Sequence, residues 1–124
     1  MKQVISTSKA PAAVGPYSQA IKRGDLIFVS GQIPIDPATG KMADATVDQA
    51  RQCLNNVKAI LEAAGSSLEK AIRVGIFMTD LADFKAVNEI YATFFTADPP
   101  ARATVQVAAL PLGAKIEIEA IAEA

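Results

Sequence analysis

Apolar residues recur along the chain with two different periods, and these periods predict its helices and strands. Between Thr46 and Gly65 they recur every three or four residues, which is the spacing of one helix face. The predicted inner stripe consists of Val47, Ala50, Leu54, Val57, Leu61 and Ala64. Thr46 and Gln49 have the spacing of a capping box, and Gly65 favours a left-handed stop. We therefore predict a first helix between Thr46 and Gly65.

A second helix is predicted after Asp80, a residue suited to capping the first turn. Its apolar stripe consists of Phe84, Val87, Tyr91 and Phe94. The segment 98–100, Asp-Pro-Pro, then ends it, because proline cannot continue a helix.

Shorter apolar segments predict strands. The segment 17–32 is expected to form two strands around a turn at 22–25, and the second of them, 26–30, is apolar on both faces and is expected to be covered on both. Further strands are predicted at 71–78, with Ile72, Val74, Ile76 and Met78 on one face, at 103–107 and at 115–121. If residues 2–5 also pair, the order β-β-β-α-β-α-β-β predicts a two-layer α+β sandwich.

The last two strands carry the candidate chemistry. An antiparallel return through residues 110–113 is expected to place them side by side, so that Arg102 and Glu117 border one cleft. The planar fork of an arginine suits a small carboxylate, and it would keep a neighbouring glutamate ionised and able to accept a proton from water. The alternative interpretation is a surface ion pair for Arg102 and a solvated charge for Glu117. Glu119 is interpreted as structural.

Two amphipathic helices can cover only one face of such a sheet. The other face would carry Lys115, Glu117, Glu119 and Ile121, a mixture of polar and apolar groups. Interfaces between proteins that contain a polar pocket have this composition. We therefore expect a homo-oligomer with its sites at subunit junctions.

Composition narrows the function further. The 124 residues fit one domain over 1–124, and a net charge of -1 with 51% hydrophobic residues argues against disorder and against a generic nucleic-acid binder. The chain has no histidine, which excludes Ser-His and Cys-His nucleophiles and histidine-bound metals. No nucleotide-binding loop is present, so neither cofactor nor metal is expected. The single cysteine, Cys53, is interpreted as a half-buried thiol. No signal peptide or membrane-length apolar run is seen, so a cytoplasmic location is expected.

Five short motifs resemble the signatures of the RidA (YjgF-type) enamine/imine deaminase family, from about residue 5 to the C-terminus. They are Gly15-Pro16-Tyr17-Ser18-Gln19-Ala20, Ser30-Gly31-Gln32-Ile33-Pro34, Asn55-Asn56-Val57, Pro100-Ala101-Arg102 and Ile116-Glu117-Ile118. The resemblance implies a chorismate-mutase-like mixed sheet with two helices on one face, assembled as a trimer with clefts between adjacent subunits. It also implies hydrolysis of 2-aminoacrylate-type enamines, through their imines, to 2-keto acids and ammonia.

The resemblance also implies roles for single residues. Arg102 would bind the substrate carboxylate and Glu117 would position the attacking water. The pocket would be lined by Tyr17, Ser30, Gly31 and Asn88. Thr104 stands where some members have cysteine and would contribute its backbone carbonyl. Taken alone, Tyr17 could equally be a half-buried aromatic residue, Ser30 and Gly31 a strand end, and Asn88 a solvent-facing polar residue.

The leading hypothesis is thus a cofactor-independent 2-iminobutanoate/2-iminopropanoate deaminase that removes damaging intermediates released by pyridoxal-phosphate enzymes. A binding module that senses a small carboxylate such as a keto acid, without turnover, remains an alternative. Ribonuclease or translation-inhibitor activity is disfavoured by the lack of histidine and of a basic patch. Chorismate mutase activity is disfavoured because one arginine is too few for a dicarboxylate.

Overall fold

Six strands and two helices make up the computed structural model, which describes residues 1–124. The strands are β1 (Gln3–Ile5), β2 (Ala20–Arg23), β3 (Leu26–Gln32), β4 (Ala71–Met78), β5 (Ala101–Gln106) and β6 (Ile116–Glu123). The helices are α1 (Thr46–Ala63) and α2 (Phe84–Phe94). The strands form one mixed sheet in the order β1-β2-β3-β6-β4-β5, in which only the β4–β5 pair is parallel. The predicted α+β class is confirmed.

Both helices pack on one face of the sheet, and the central strand β6 shows the two faces most clearly. Its residues Ile116, Ile118, Ala120 and Ala122 are buried, while the alternate positions Glu117, Glu119 and Ile121 are only half-buried. The buried set belongs to a core cluster of 23 residues that also includes most of the two predicted helix stripes, namely Ala50, Leu54, Val57 and Leu61 of α1 and Val87 and Tyr91 of α2. We call the other side of the sheet the open face.

Helix α1 begins where it was predicted to begin, but its N-terminus lacks the predicted cap. It begins at Thr46, and Gly65 follows its C-cap with a φ of 81°, the left-handed conformation that glycine adopts without strain. No side chain caps its N-terminus, so the predicted capping box is wrong. The Gln49 amide instead donates to the Ala43 carbonyl at 2.8 Å and accepts from the Lys115 amide at 2.9 Å. Gln49 therefore links two loops to the helix, and these hydrogen bonds take the place of the predicted bond to the first turn of α1.

Helix α2 follows a short 3-10 turn, Leu81–Asp83. Asp80 caps this turn, accepting a hydrogen bond from the Ala82 amide at 2.8 Å. The helix ends at Phe94, before the proline segment that was expected to stop it. None of the helices is long and apolar enough to cross a membrane.

The predicted antiparallel pairing of the last two strands is wrong, because β4 lies between them. In the observed register, Val74 of β4 lies opposite Arg102 of β5, whereas Phe77 of β4 lies opposite Glu117 of β6. The physical reason is the β4-α2-β5 unit: a helical crossover lets β5 run parallel to β4, and the chain then crosses over β4 to insert β6 beside β3.

Two apolar residues lie outside the core, against expectation. Ile72 is 42% exposed, because the register of β4 shifts between Ala71 and Arg73 and turns its side chain away from the helices. Phe28 of β3 lies on the open face and is 43% exposed. The strand 26–30 is thus covered on one face only by its own chain.

Candidate functional site

Four of the predicted site residues line one cleft of about 340 Å³ on the sheet. They are Tyr17, Ser30, Gly31 and Glu117, and the remaining walls are Val14, Ile33 and Pro111. We call this space the Glu117 cleft. It brings a carboxylate, a hydroxyl and a phenol together among apolar groups, a composition typical of small-molecule sites.

The floor of the cleft is a close contact between Glu117 and Gly31. The register between β3 and β6 shifts between Val29 and Gln32, and this irregularity places Gly31 beside the Glu117 side chain. A Cβ atom on Gly31 would lie 2.6 Å from Oε1 of Glu117 and 2.8 Å from its Cδ. Only glycine leaves room for the carboxylate here, so residue 31 matters for the space it leaves open.

The environment of Glu117 disfavours its charged form. Partial burial raises the pKa of the Glu117 carboxyl above its usual value, and the like charge of Glu119 raises this pKa further. Arg102 does not contribute within one chain, so the expected ionisation of Glu117 by that guanidinium is not seen there. A carboxyl with a raised pKa exchanges protons closer to neutral pH, as a general acid or base requires.

Hydrogen bonds fix the two hydroxyl-bearing walls of the cleft. Ser30 donates from Oγ to the Ser18 carbonyl at 2.6 Å, and Oη of Tyr17 accepts from the Val14 amide at 3.3 Å. The 5%-exposed Gln19 holds the segment before Tyr17 in place. Its amide accepts from the Thr7 amide at 2.7 Å and donates to the carbonyls of Thr7, Ala10 and Pro11. The N-terminal segment is thus part of the cleft's frame.

The other three predicted residues lie on the helix-covered side of the sheet. Arg102 is exposed on the edge strand β5, and its guanidinium carbon lies 4.7 Å from the Tyr91 ring centroid. Thr104 is two residues further along the same strand face, and its Oγ1 is buried with no hydrogen-bond partner. Asn88 is half-buried on α2, one turn before Tyr91. We call these three residues the Arg102 group.

One chain therefore keeps Arg102 and Glu117 apart. Residues paired across neighbouring strands point to the same face, and the β4 partners of these two residues, Val74 and Phe77, point to opposite faces. The expectation that both residues border one cleft within a chain is wrong. The predicted site is divided into the Glu117 cleft and the Arg102 group.

The single thiol plays no part in either half. Cys53 is fully buried on α1, where its Sγ lies 3.7 Å from the Ile116 carbonyl oxygen. Burial raises the pKa of the Cys53 thiol well above its usual value, and the charge of Glu117 acts in the same direction. A thiol in this environment stays protonated and is a poor nucleophile. It is more deeply buried than predicted, and the structural interpretation is confirmed.

Comparison with known proteins places the chain in one family, whose members carry different names. A family model described as Endoribonuclease L-PSP matches residues 7–124. Reactive Intermediate Deaminase A, chloroplastic, of Arabidopsis thaliana is 57% identical over 122 residues, which cover 98% of this chain and 65% of that protein. The 2-iminobutanoate/2-iminopropanoate deaminase of Mus musculus is 48% identical over 123 residues, covering 98% of this chain and 91% of that protein. The chain belongs to the RidA (YjgF-type) family.

The fold of this RidA-family chain agrees with solved structures of its relatives. The crystal structure of Escherichia coli TdcF with bound serine superimposes with a TM-score of 0.96 at 49% identity and covers 98% of both chains. The family resemblance drawn from the five motifs is thus confirmed at the level of sequence and fold.

Sequence reasoning missed several residues around the RidA site. Nothing in the sequence pattern marked Val14, and Pro111 was predicted only as part of the return between two strands, although both line the Glu117 cleft. Phe84 and Tyr91 had been assigned only to the inner stripe of α2, yet both rings face the Arg102 guanidinium. The contact between Arg102 and these two rings could have been predicted from the parallel pairing of β5 with β4, because that pairing places Arg102 beneath α2.

Proposed function

We propose that this protein hydrolyses reactive enamine/imine intermediates, such as 2-aminoacrylate, 2-iminopropanoate and 2-iminobutanoate, to 2-keto acids and ammonia. The observation that carries the proposal is the Glu117 carboxyl, whose pKa is raised and which faces a small cleft that Gly31 keeps open. Family membership supports the same reaction, because the mouse relative carries the name of this activity.

The proposed reaction needs one cation, one base and one water. Arg102 binds the substrate carboxylate through two parallel hydrogen bonds. Water adds to the carbon of the protonated imine while the ionised Glu117 accepts one of its protons, which gives a neutral carbinolamine. Glu117 then returns this proton to the amine. The C–N bond breaks as the carbinolamine oxygen forms the C=O bond, and the hydroxyl proton passes through Glu117 to the departing ammonia, so that the keto acid and ammonium leave. Proton transfer by a positioned carboxylate contributes about 10² to 10⁴ in rate, and holding the reactants in place adds to it.

The remaining site residues receive supporting roles in this proposal. Tyr17 and Ser30 shape the wall of the Glu117 cleft, and Gly31 leaves room for the water beside Glu117. Asn88 and the backbone carbonyl of Thr104 lie with Arg102 and are proposed to bind the amino-acid part of the substrate. The serine bound to the Escherichia coli relative is a small molecule of the same class, with a carboxylate and a neighbouring nitrogen.

We further propose that two chains complete each site, in a homotrimer located in the cytoplasm. Arg102 lies on the edge strand β5, whose outer edge is unpaired, and Glu117 lies on the opposite face. The open face also exposes apolar side chains, including Phe28 and Val105. Docking the β5 edge of one chain against the Glu117 cleft of the next would bring the two halves together.

The direct test generates 2-aminoacrylate in situ with a pyridoxal-phosphate lyase and follows its decay in the presence of the protein. The expected result is an accelerated decay that Arg102→Ala abolishes. An unchanged decay rate, or full activity in Arg102→Ala, would refute the proposed reaction.

A keto-acid binding module is the second candidate, because a site that holds the product carboxylate also binds it without turnover. Glu117→Gln separates the two. Both candidates predict that the variant keeps its affinity for the keto acid. An enzyme would show imine hydrolysis in the wild type and a lower rate of hydrolysis in the variant, whereas a sensor would show no hydrolysis in either.

A further inference from the structure

The Arg102 guanidinium lies over two aromatic rings of α2. Its central carbon is 4.7 Å from the centroid of the Tyr91 ring and 5.7 Å from that of Phe84. Both distances are within the range of about 6 Å in which a cation is attracted to an aromatic face. We call these two rings the aromatic shelf.

The shelf leaves the hydrogen-bond donors of Arg102 free. The ion pairs of the chain join Arg51 to Asp48 and Arg73 to Glu119, so Arg102 pairs with no carboxylate of its own chain. The attraction between the guanidinium and the rings acts on its positive charge and uses none of its five N–H donors, the groups that hydrogen-bond a carboxylate. Those donors are therefore available for a ligand while the guanidinium is held over the rings.

Tyr91 is itself held firmly. It is 7% exposed and packs against Phe95, with ring centroids 4.5 Å apart and an interplanar angle of 33°. Its hydroxyl is buried and has no hydrogen-bond partner. Burial raises the pKa of Tyr91 despite the opposing charge of Arg102, so the ring is a neutral phenol. The part of Tyr91 that contacts Arg102 is the ring, and the hydroxyl adds nothing to that contact.

We propose that Tyr91, assisted by Phe84, is a positioning residue that holds the Arg102 guanidinium in place for the substrate carboxylate. The inference rests on the proposed function, in which Arg102 binds that carboxylate. A flexible arginine must lose side-chain freedom when it binds a ligand, whereas one already stacked loses less. The shelf thus strengthens binding of a planar two-oxygen anion without contacting it.

The test compares Tyr91→Leu with Tyr91→Phe, which keeps the ring and removes only the hydroxyl. The dissociation constant for 2-oxobutanoate is measured by calorimetry, together with KM and kcat for the imine. We expect Tyr91→Leu to raise Kd and KM by about 5- to 30-fold, equivalent to about 1 to 2 kcal/mol, with a smaller change in kcat. Tyr91→Phe should bind like the wild type.

A double-mutant cycle shows whether Tyr91 acts through Arg102. In an Arg102→Ala background, Tyr91→Leu should have no further effect on Kd, because no guanidinium remains to be positioned. Equal weakening in both backgrounds, or equal affinity of Tyr91→Leu and Tyr91→Phe, would overturn the inference. If Tyr91→Leu does not fold, Phe84→Leu replaces it with a smaller expected increase in Kd.

The two readouts separate this inference from the proposed reaction. Keto-acid binding that depends on the shelf, without imine turnover, would support the shelf and refute the deaminase. Imine turnover that does not depend on the aromatic shelf would support the deaminase and refute the role proposed for the shelf. Failure of the wild type to bind 2-oxobutanoate would overturn the shelf, even if the imine is hydrolysed.

Discussion

A single glycine controls what the Glu117 carboxylate can contact. Gly31 presents no side chain at the point where Glu117 folds over β3, and the space that it leaves is where a water molecule or substrate can approach. Glu119 lies over Gly75 of β4 in a similar way, with a would-be Cβ 3.0 Å from its Cγ. Both half-buried carboxylates of β6 thus depend on small neighbours.

Gly31→Ala is expected to reduce activity strongly, because the added methyl group would lie 2.6 Å from Oε1 of Glu117 and must displace it. Gly15→Ala is the matched control, since its Cβ would be in ordinary contact, 3.7 Å from the Tyr17 ring. The measurement is kcat/KM together with thermal stability. Wild-type activity in Gly31→Ala would show that the close contact has no functional importance.

The pH dependence of activity is expected to report on Glu117. The carboxylate must be ionised to accept a proton from water, and burial raises its pKa. As the pH falls through the pKa of Glu117, kcat/KM should decline. Burial and Glu119 raise this pKa and move the acid limb to higher pH, and the Arg102 guanidinium that the adjoining chain contributes to the proposed site moves it back towards lower pH. Glu117→Gln should lower kcat/KM by about 10² to 10⁴ and remove this acid limb. An acid limb that persists in Glu117→Gln would assign it to another group.

At the scale of elements, buried amides connect loops to the layers that support them. Asn56 of α1 is 1% exposed and donates from Nδ2 to the carbonyls of Ile33 at 3.2 Å and Ile35 at 3.0 Å. Its Oδ1 accepts from Gln52 at 2.8 Å. This amide fixes the segment after β3, whose Ile33 lines the Glu117 cleft.

Asn56→Ala is expected to lower the free energy of unfolding by about 1 to 3 kcal/mol, since it leaves two partly buried carbonyls without their donor. The neighbouring Asn55→Ala is the control, because Asn55 is exposed and should change stability by less than about 0.5 kcal/mol. Urea unfolding at one fixed protein concentration measures both. Equal stability of the two variants would argue against the role assigned to Asn56.

The helices and strands were largely predictable from the sequence, whereas the order of the strands in the sheet was not. The three-four spacing located α1 between Thr46 and Gly65, and alternation correctly divided Glu117 from Ile116 and Ile118. The strand order failed, because a short loop between β5 and β6 suggested a hairpin, while the parallel pairing of β4 with β5 requires a crossover. The spacing of apolar residues shows which side chains of an element share a face, but it does not show which strands pair with each other.

For the whole molecule, the decisive fact is the division of the predicted site between two faces. Five of the seven predicted site residues lie within the motifs, whereas Asn88 and Thr104 lie outside them and come from the family resemblance alone. No pattern in one chain indicated that the seven residues form two groups. That division follows from the register, in which Val74 and Phe77 of β4 carry Arg102 and Glu117 to opposite sides. Under the proposed mechanism, activity therefore requires at least two chains to meet, as they would in the proposed trimer.

Mixing two inactive variants tests this requirement. In a cyclic trimer of Arg102→Ala and Glu117→Gln chains, every mixed assembly contains one junction with both wild-type residues. Co-refolding the two variants in equal amounts should therefore restore about one quarter of the wild-type sites. Each variant refolded alone is the control. No recovery in a confirmed mixture of chains would place both residues within the same subunit's site.

The placement of Arg102 on an unpaired outer strand, away from Glu117, has a consequence for ligand-linked assembly. In the proposed assembly, a keto acid bound by the Arg102 guanidinium of one chain and the Glu117 cleft of the next would link the two chains. By mass action, it must lower the concentration at which subunits dissociate. Sedimentation of dilute protein with and without pyruvate would detect this change in the dissociation concentration. The activity per chain should also decrease when the protein is diluted below that concentration.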